Sequence, residues 1–129
     1  METTFSIELF TAINFFVIGL SHLLQPKSWV AFFVYLHAKK DVGNIINALL
    51  SLGVGSLILS FHFLWHWPKI LITIYGVLSV MKGLLYLLVP SIGISNIAKV
   101  TAETANRFRW AGMVMFVFSL VIIYELIKE

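Results

Sequence analysis

A lysine inside a long apolar run is the residue of greatest chemical interest in this chain. Lys82 sits in the run ITIYGVLSVMKGLLYLLV, where it is the only charged side chain. In hydrocarbon an ammonium costs free energy unless it is paired or reaches water. Tyr75, Ser79, Lys82 and Tyr86 recur at i, i+4, i+7 and i+11, so they share one helical face. Asn44, Asn47, Ser51 and Gly55 form a similar stripe, and Asn14 adds an amide in the first apolar run. Matching depths places Asn47, Ser51 and Lys82 in one layer, with Asn14 slightly deeper, in a polar pocket expected to open toward the basic side of the protein. Such a pocket offers a cation with hydroxyl and amide donors. A lipid headgroup, a quinone carbonyl or another anion would suit it, and no acidic residue lies at that depth to neutralise Lys82. The plainer alternative is a lysine whose stem reaches toward the interface, its head satisfied by carbonyls or water.

The histidines divide between two ends. His22 and His37 fall on the side that also carries most of the basic residues, and His62 and His66 on the other. The spacing of His62 and His66 predicts one helical face, and Glu8 and Glu125 reach the same level. Two imidazoles at i, i+4 beside a carboxylate form a weak zinc pattern. An ordinary interfacial role weighs more, because His66 stands among tryptophans at a helix end, and no metal is expected.

Other chemistries lack their residues. The chain has no cysteine, which excludes disulfides, iron–sulfur clusters and thiolate zinc sites. No nucleophile has a base beside it in sequence, no loop is built to cradle phosphate, and no carboxylates pair at one depth. The net charge of +3 comes from scattered residues with no basic run, so no nucleic-acid partner is expected.

These groups must be held by elements suited to lipid. Of the 129 residues, 60% are hydrophobic and 12% charged, about half the charged share of a soluble domain. Four runs are long enough to cross a bilayer at about 1.5 Å per helical residue: 5–24, 44–65, 69–89 and 108–127. The fold class expected is therefore all-α, a single transmembrane domain built as a four-helix bundle. The first run follows an acidic start, Met1-Glu2, and reads as a retained helix and not a cleaved signal.

The connections differ in kind. Trp65-His66-Trp67-Pro68 predicts a tight turn between antiparallel neighbours. In 28–37, Trp29, Phe32, Phe33 and Leu36 share a face, which predicts a short interfacial helix between the first two spans. The polar stretch 91–106 is expected to carry a short surface helix over 98–107. Gly53, Gly55, Gly76, Gly83 and Gly112, with Ser56, Ser79 and Ser119, are expected to let helix backbones approach closely. Lys27, Lys39, Lys40, Lys99, Arg107 and Arg109 fall at one end of the spans and Lys69 and Lys128 at the other. By the positive-inside rule, the first set faces the cytoplasm and both termini lie outside.

The segment FVIGLSHLLQP, from Phe16 to Pro26, resembles the end of the first helix in DoxX-like membrane proteins. These carry a glycine, a histidine or lysine three residues later, and then a proline. The aromatic stretch after Pro26, the glycine-bearing second span and the late polar residue Lys82 are also similar, so the likeness covers roughly 8–90. Where such proteins often open the first helix with arginine, this chain has Glu8. The resemblance implies a small four-helix membrane protein, in some cases a subunit of a quinone-dependent redox system, and a bacterial inner membrane as its place. Carried over by position, Gly19 allows close packing, Pro26 ends the helix and His22 lies near a headgroup-level site.

Three functions are therefore expected, in this order. The first is a non-catalytic accessory or self-associating subunit of a larger membrane complex, with other subunits or further copies of itself as partners. The second is a protein that binds a lipid or quinone at Lys82, Asn47, Ser51, Asn14, Ser79, Tyr86 and His22, linked to a redox system. The third is an oligomeric small transporter or channel.

Overall fold

The computed structural model describes residues 3–128, and the acidic start at Glu2 lies outside them. The helices are α1 (Thr3–Leu24), α2 (Pro26–Ala38), α3 (Asp41–Phe61), α4 (Ile70–Leu88), α5 (Pro90–Ala98) and α6 (Ala105–Lys128), with one 3-10 turn, Ala102–Thr104, before α6. Among them α1, α3, α4 and α6 are long and apolar enough to cross a membrane. No strand occurs among the described residues.

Proline sets two of the helix starts. Pro26 and Pro90 each occupy the first turn of a new helix, where their missing N–H has no intrahelical partner to lose. The expected short helix over 98–107 is therefore misplaced. Pro90 ends α4 and at once begins α5, which runs to Ala98, and α6 already starts at Ala105. Between them Thr101 and Thr104 cap each other across the 3-10 turn, with Thr104 Oγ1 accepting from Thr101 N–H at 3.0 Å.

The long helices form two pairs. Helix α1 packs antiparallel along α6, and α3 along α4, whereas contact between the pairs is sparse. Glycine permits both close approaches. A Cβ on Gly112 would stand 2.6 Å from the Gly19 carbonyl oxygen, and one on Gly55 would stand 2.7 Å from Val80 N, so neither crossing has room for a side chain. Gly53 is different, because a Cβ there meets nothing within 4 Å. It faces outward, contrary to the packing role expected of it.

At one end Ile7, Ala12, Ile58, Ile72 and Ile122, drawn from all four long helices, close into a core. At the other end the pairs stand apart and α2 is laid across the gap. The expected aromatic face is there and is turned partly inward, with Phe32 left exposed. Leu36 is fully buried, and Trp29 and Phe33 are half-buried against the bundle.

Candidate functional site

A cavity of about 340 Å³ lies between the two helix pairs, within the usual size range of small-molecule sites. Its walls come from α1, α2, α3, α4 and α6 and are mainly apolar, with Asn14, His22, Asn47, Ser51 and Lys82 as the main polar groups. Those five are among the candidate site residues named from the sequence. Ser79 and Tyr86 are not part of the wall. Ser79 is buried where α4 crosses Gly55, and the Tyr86 hydroxyl accepts from Asn96 Nδ2 at 3.0 Å, in α5.

The polar groups of the wall differ in how they are satisfied. Asn14 donates to the Phe10 carbonyl at 2.9 Å, one turn back on its own helix. His22 Nδ1 lies 2.8 Å from the Ile18 carbonyl, so the hydrogen-bond pattern puts a proton on Nδ1 and leaves Nε2 as a free acceptor. Its ring stacks on Trp29 with centroids 4.2 Å apart, and the Trp29 indole donates to Ser21 Oγ at 2.8 Å. Asn47 is 6% exposed, and its amide, which retains access to the cavity, has no hydrogen-bond partner among the described residues. Ser51 and Lys82 are likewise without one. The Lys82 ammonium has the Tyr86 ring beneath it, 5.6 Å from the centroid, and no carboxylate in reach among the described residues. One cation, one amide and one hydroxyl thus share a mostly apolar cavity with their bonding capacity unused.

The cavity extends to the end at which an opening is expected from the sequence. Trp29, Phe32 and Phe33 of α2 line that end. Among the lining residues Leu50, Phe32 and Phe10, from α3, α2 and α1, are exposed on the outer surface.

A second polar cluster lies beyond the isoleucine core. Glu8 is 2% exposed and His62 fully buried, with Glu8 Oε2 3.2 Å from His62 Nε2. Lys69 Nζ stands 3.5 Å from Glu8 Oε1. On the other side of the ring, Thr73 Oγ1 lies 3.3 Å from His62 Nδ1. The Thr73 hydroxyl donates to the Leu64 carbonyl at 2.8 Å and accepts from Leu64 N–H at 3.2 Å, tying down the chain that leaves α3. Carboxylate, imidazole and hydroxyl therefore stand in a row that sequence spacing did not show. The hydroxyl is fully buried and its proton already engaged, so it serves the fold and is not placed to attack a substrate.

The shared helical face that made His62 and His66 weak metal candidates is not formed. Helix α3 ends at Phe61, so the two histidines do not share a helical face, and His66 is exposed in the turn. Among the described residues no group of three or more His, Cys, Asp or Glu side chains can hold a metal ion. No family model, curated protein or solved structure matches the chain.

Proposed function

We propose that this chain is an integral membrane protein that binds one amphipathic molecule from the lipid phase. The headgroup would present acceptor oxygens to Lys82, Asn47 and Ser51, and the apolar tail would leave sideways past Phe10, Phe32 and Leu50. The observation that carries this reading is the unused bonding capacity of three polar groups in one cavity. An isolated lysine at the centre of a membrane helix costs about 2.5–3.5 kcal/mol even on the mildest scale. Lys82 lies six residues from the end of α4, about 9 Å by helical rise, so its stem covers only part of the way to water. A bound anion or carbonyl offsets that cost, and His22 Nε2 can accept a proton from any hydroxyl the headgroup carries.

An anionic lipid and a quinone share this chemistry, and the likeness to DoxX-like proteins adds weight to the quinone. Membership of a larger complex ranks second, because lipid chains cover the exposed apolar faces as well as a partner would. Mass spectrometry of protein extracted in mild detergent should find a co-purified lipid or quinone at near-unit ratio. Each hydrogen bond to a charged group is worth about 1.5–3 kcal/mol, so Lys82→Met should lower ligand retention about tenfold or more. Equal ligand content in Lys82→Met, Asn47→Leu and the unmodified chain would refute the assignment.

A further inference from the structure

Two basic residues near the start of α6 share a crevice that is separate from the Lys82 cavity. It holds about 410 Å³, lies between α5 and the first turns of α6, and has no wall residue in common with that cavity. Asn96, Lys99 and Arg107 make its polar wall, and Val100, Phe108 and Ala111 its apolar wall. Both cations are exposed, and neither has a carboxylate in ion-pair reach among the described residues. Glu103, the nearest acid in sequence, pairs with neither of them. Two like charges in one crevice repel, and an anion held between them removes that cost. We infer that this crevice binds the phosphate of an anionic membrane lipid, as a second site distinct from the one at Lys82.

The polar wall is positioned by the fold. Asn96 Nδ2 donates to the Tyr86 hydroxyl at 3.0 Å, and Asn96 Oδ1 accepts from Lys99 Nζ at 3.3 Å. That amide is then spent on holding the ammonium, which keeps two of its three N–H donors. Helix α5, which carries Asn96, is itself seated. Ile97 is buried, and Gly93 packs on Asn44 of α3 with no room for a side chain. Arg107 has no hydrogen-bond partner among the described residues, so its five N–H donors are unused. A guanidinium fork beside an ammonium matches the oxygens of a phosphate. The Thr104 hydroxyl, by contrast, is engaged with Thr101 on both its donor and acceptor sides. The apolar wall selects a lipid over a free phosphate ester. Phe108 and Ala111 lie where α6 enters its apolar run, so acyl chains can follow that wall into the bilayer. Trp110, 72% exposed, is the residue type that sits at headgroup level. Phe108 is also the partition between the two sites, since its ring packs on His22 and Phe33 of the cavity wall. The inference rests on the membrane reading, and not on any ligand at Lys82.

The test titrates lipid onto the full chain in a non-ionic detergent and counts bound molecules by native mass spectrometry. Phosphatidylglycerol should bind several-fold more tightly than phosphatidylcholine, whose headgroup brings a cation of its own against Lys99 and Arg107. Replacing both, Lys99→Gln with Arg107→Gln, should weaken phosphatidylglycerol binding about tenfold or more. Lys27→Gln with Lys39→Gln removes the same charge from exposed residues outside the crevice, and should change binding by about twofold or less. Equal losses in the two double variants would overturn the inference, because a diffuse basic surface would then account for the attraction. Glycerol phosphate, the same headgroup without chains, should not displace the lipid at equal concentration. Full displacement would make a free phosphate ester the ligand and overturn the lipid assignment. Lys82→Met separates this site from the cavity. The preference for phosphatidylglycerol should survive in that variant and still be lost when Lys99 and Arg107 are also replaced. Its loss in Lys82→Met alone would place the bound lipid in the cavity and overturn the second site.

Discussion

Lys82 is a case in which stability and use pull apart. Its ammonium has no hydrogen bond or ion pair among the described residues, so the ligand-free fold bears the cost of holding it. Lys82→Met should therefore raise the stability of delipidated protein by about 1–3 kcal/mol while lowering ligand retention. Thermal unfolding in detergent measures the first effect. An unchanged or lowered midpoint would mean that the ammonium is satisfied within the fold itself. At this scale the sequence was informative where polar residues are scarce. Lys82, Asn47 and Ser51 stand out in their apolar runs because each needs a reason to be there. Thr73 did not stand out, since a helical threonine ordinarily bonds the carbonyl one turn back. Here it reaches instead to residues 62 and 64, a contact that exists only once the α3–α4 turn is folded.

The elements obey local rules that the sequence displays, but their ends and faces depend on neighbours. The four apolar runs became α1, α3, α4 and α6 with ends shifted by a few residues, because length and hydropathy leave little choice. His62 and His66 were expected on one face only because the second span was extended past Phe61. Just past that end the Thr73 hydroxyl lies 3.2 Å from the His62 carbonyl, a contact that no local pattern records. Glycines show the same limit. Gly53 and Gly55 are two residues apart, yet one faces open space and the other a helix crossing. Gly112→Val should force α1 and α6 apart and cost about 1–3 kcal/mol, the usual range for overpacking a tight contact. Gly53→Ala should be neutral, or stabilising by up to about 1 kcal/mol through helix propensity. Unfolding of both variants in mixed detergent micelles separates these outcomes. Equal losses would mean that Gly53 also lies at an interface, against a second copy of the chain.

For the whole molecule, the pairing of first helix with last is the feature least visible in the sequence. A short turn announces that α3 and α4 are neighbours, whereas nothing local links Gly19 to Gly112. The distribution of charge, by contrast, is legible, and the structure sharpens it. Lys69 and Lys128, at the end that carries both termini, stand within 3.5 Å of Glu8 and Glu125. Lys27, Lys39, Lys40, Lys99, Arg107 and Arg109, at the other end, have no carboxylate in ion-pair reach among the described residues. The excess of free positive charge is thus larger than a count of residues indicates, and basic residues near span ends are what retain a loop in the cytoplasm. An impermeant maleimide applied to intact cells should label His66→Cys, in the α3–α4 turn, and should reach Lys99→Cys, after α5, only once the cells are broken. Both positions are exposed, so burial does not limit either reaction. The opposite pattern would invert the molecule and place the cavity, which lies toward the Lys99 end, in the outer half of the bilayer. Labelling of both in intact cells would mean that these helices do not divide the chain between two compartments, and the lipid-phase route into the cavity would then lose its basis.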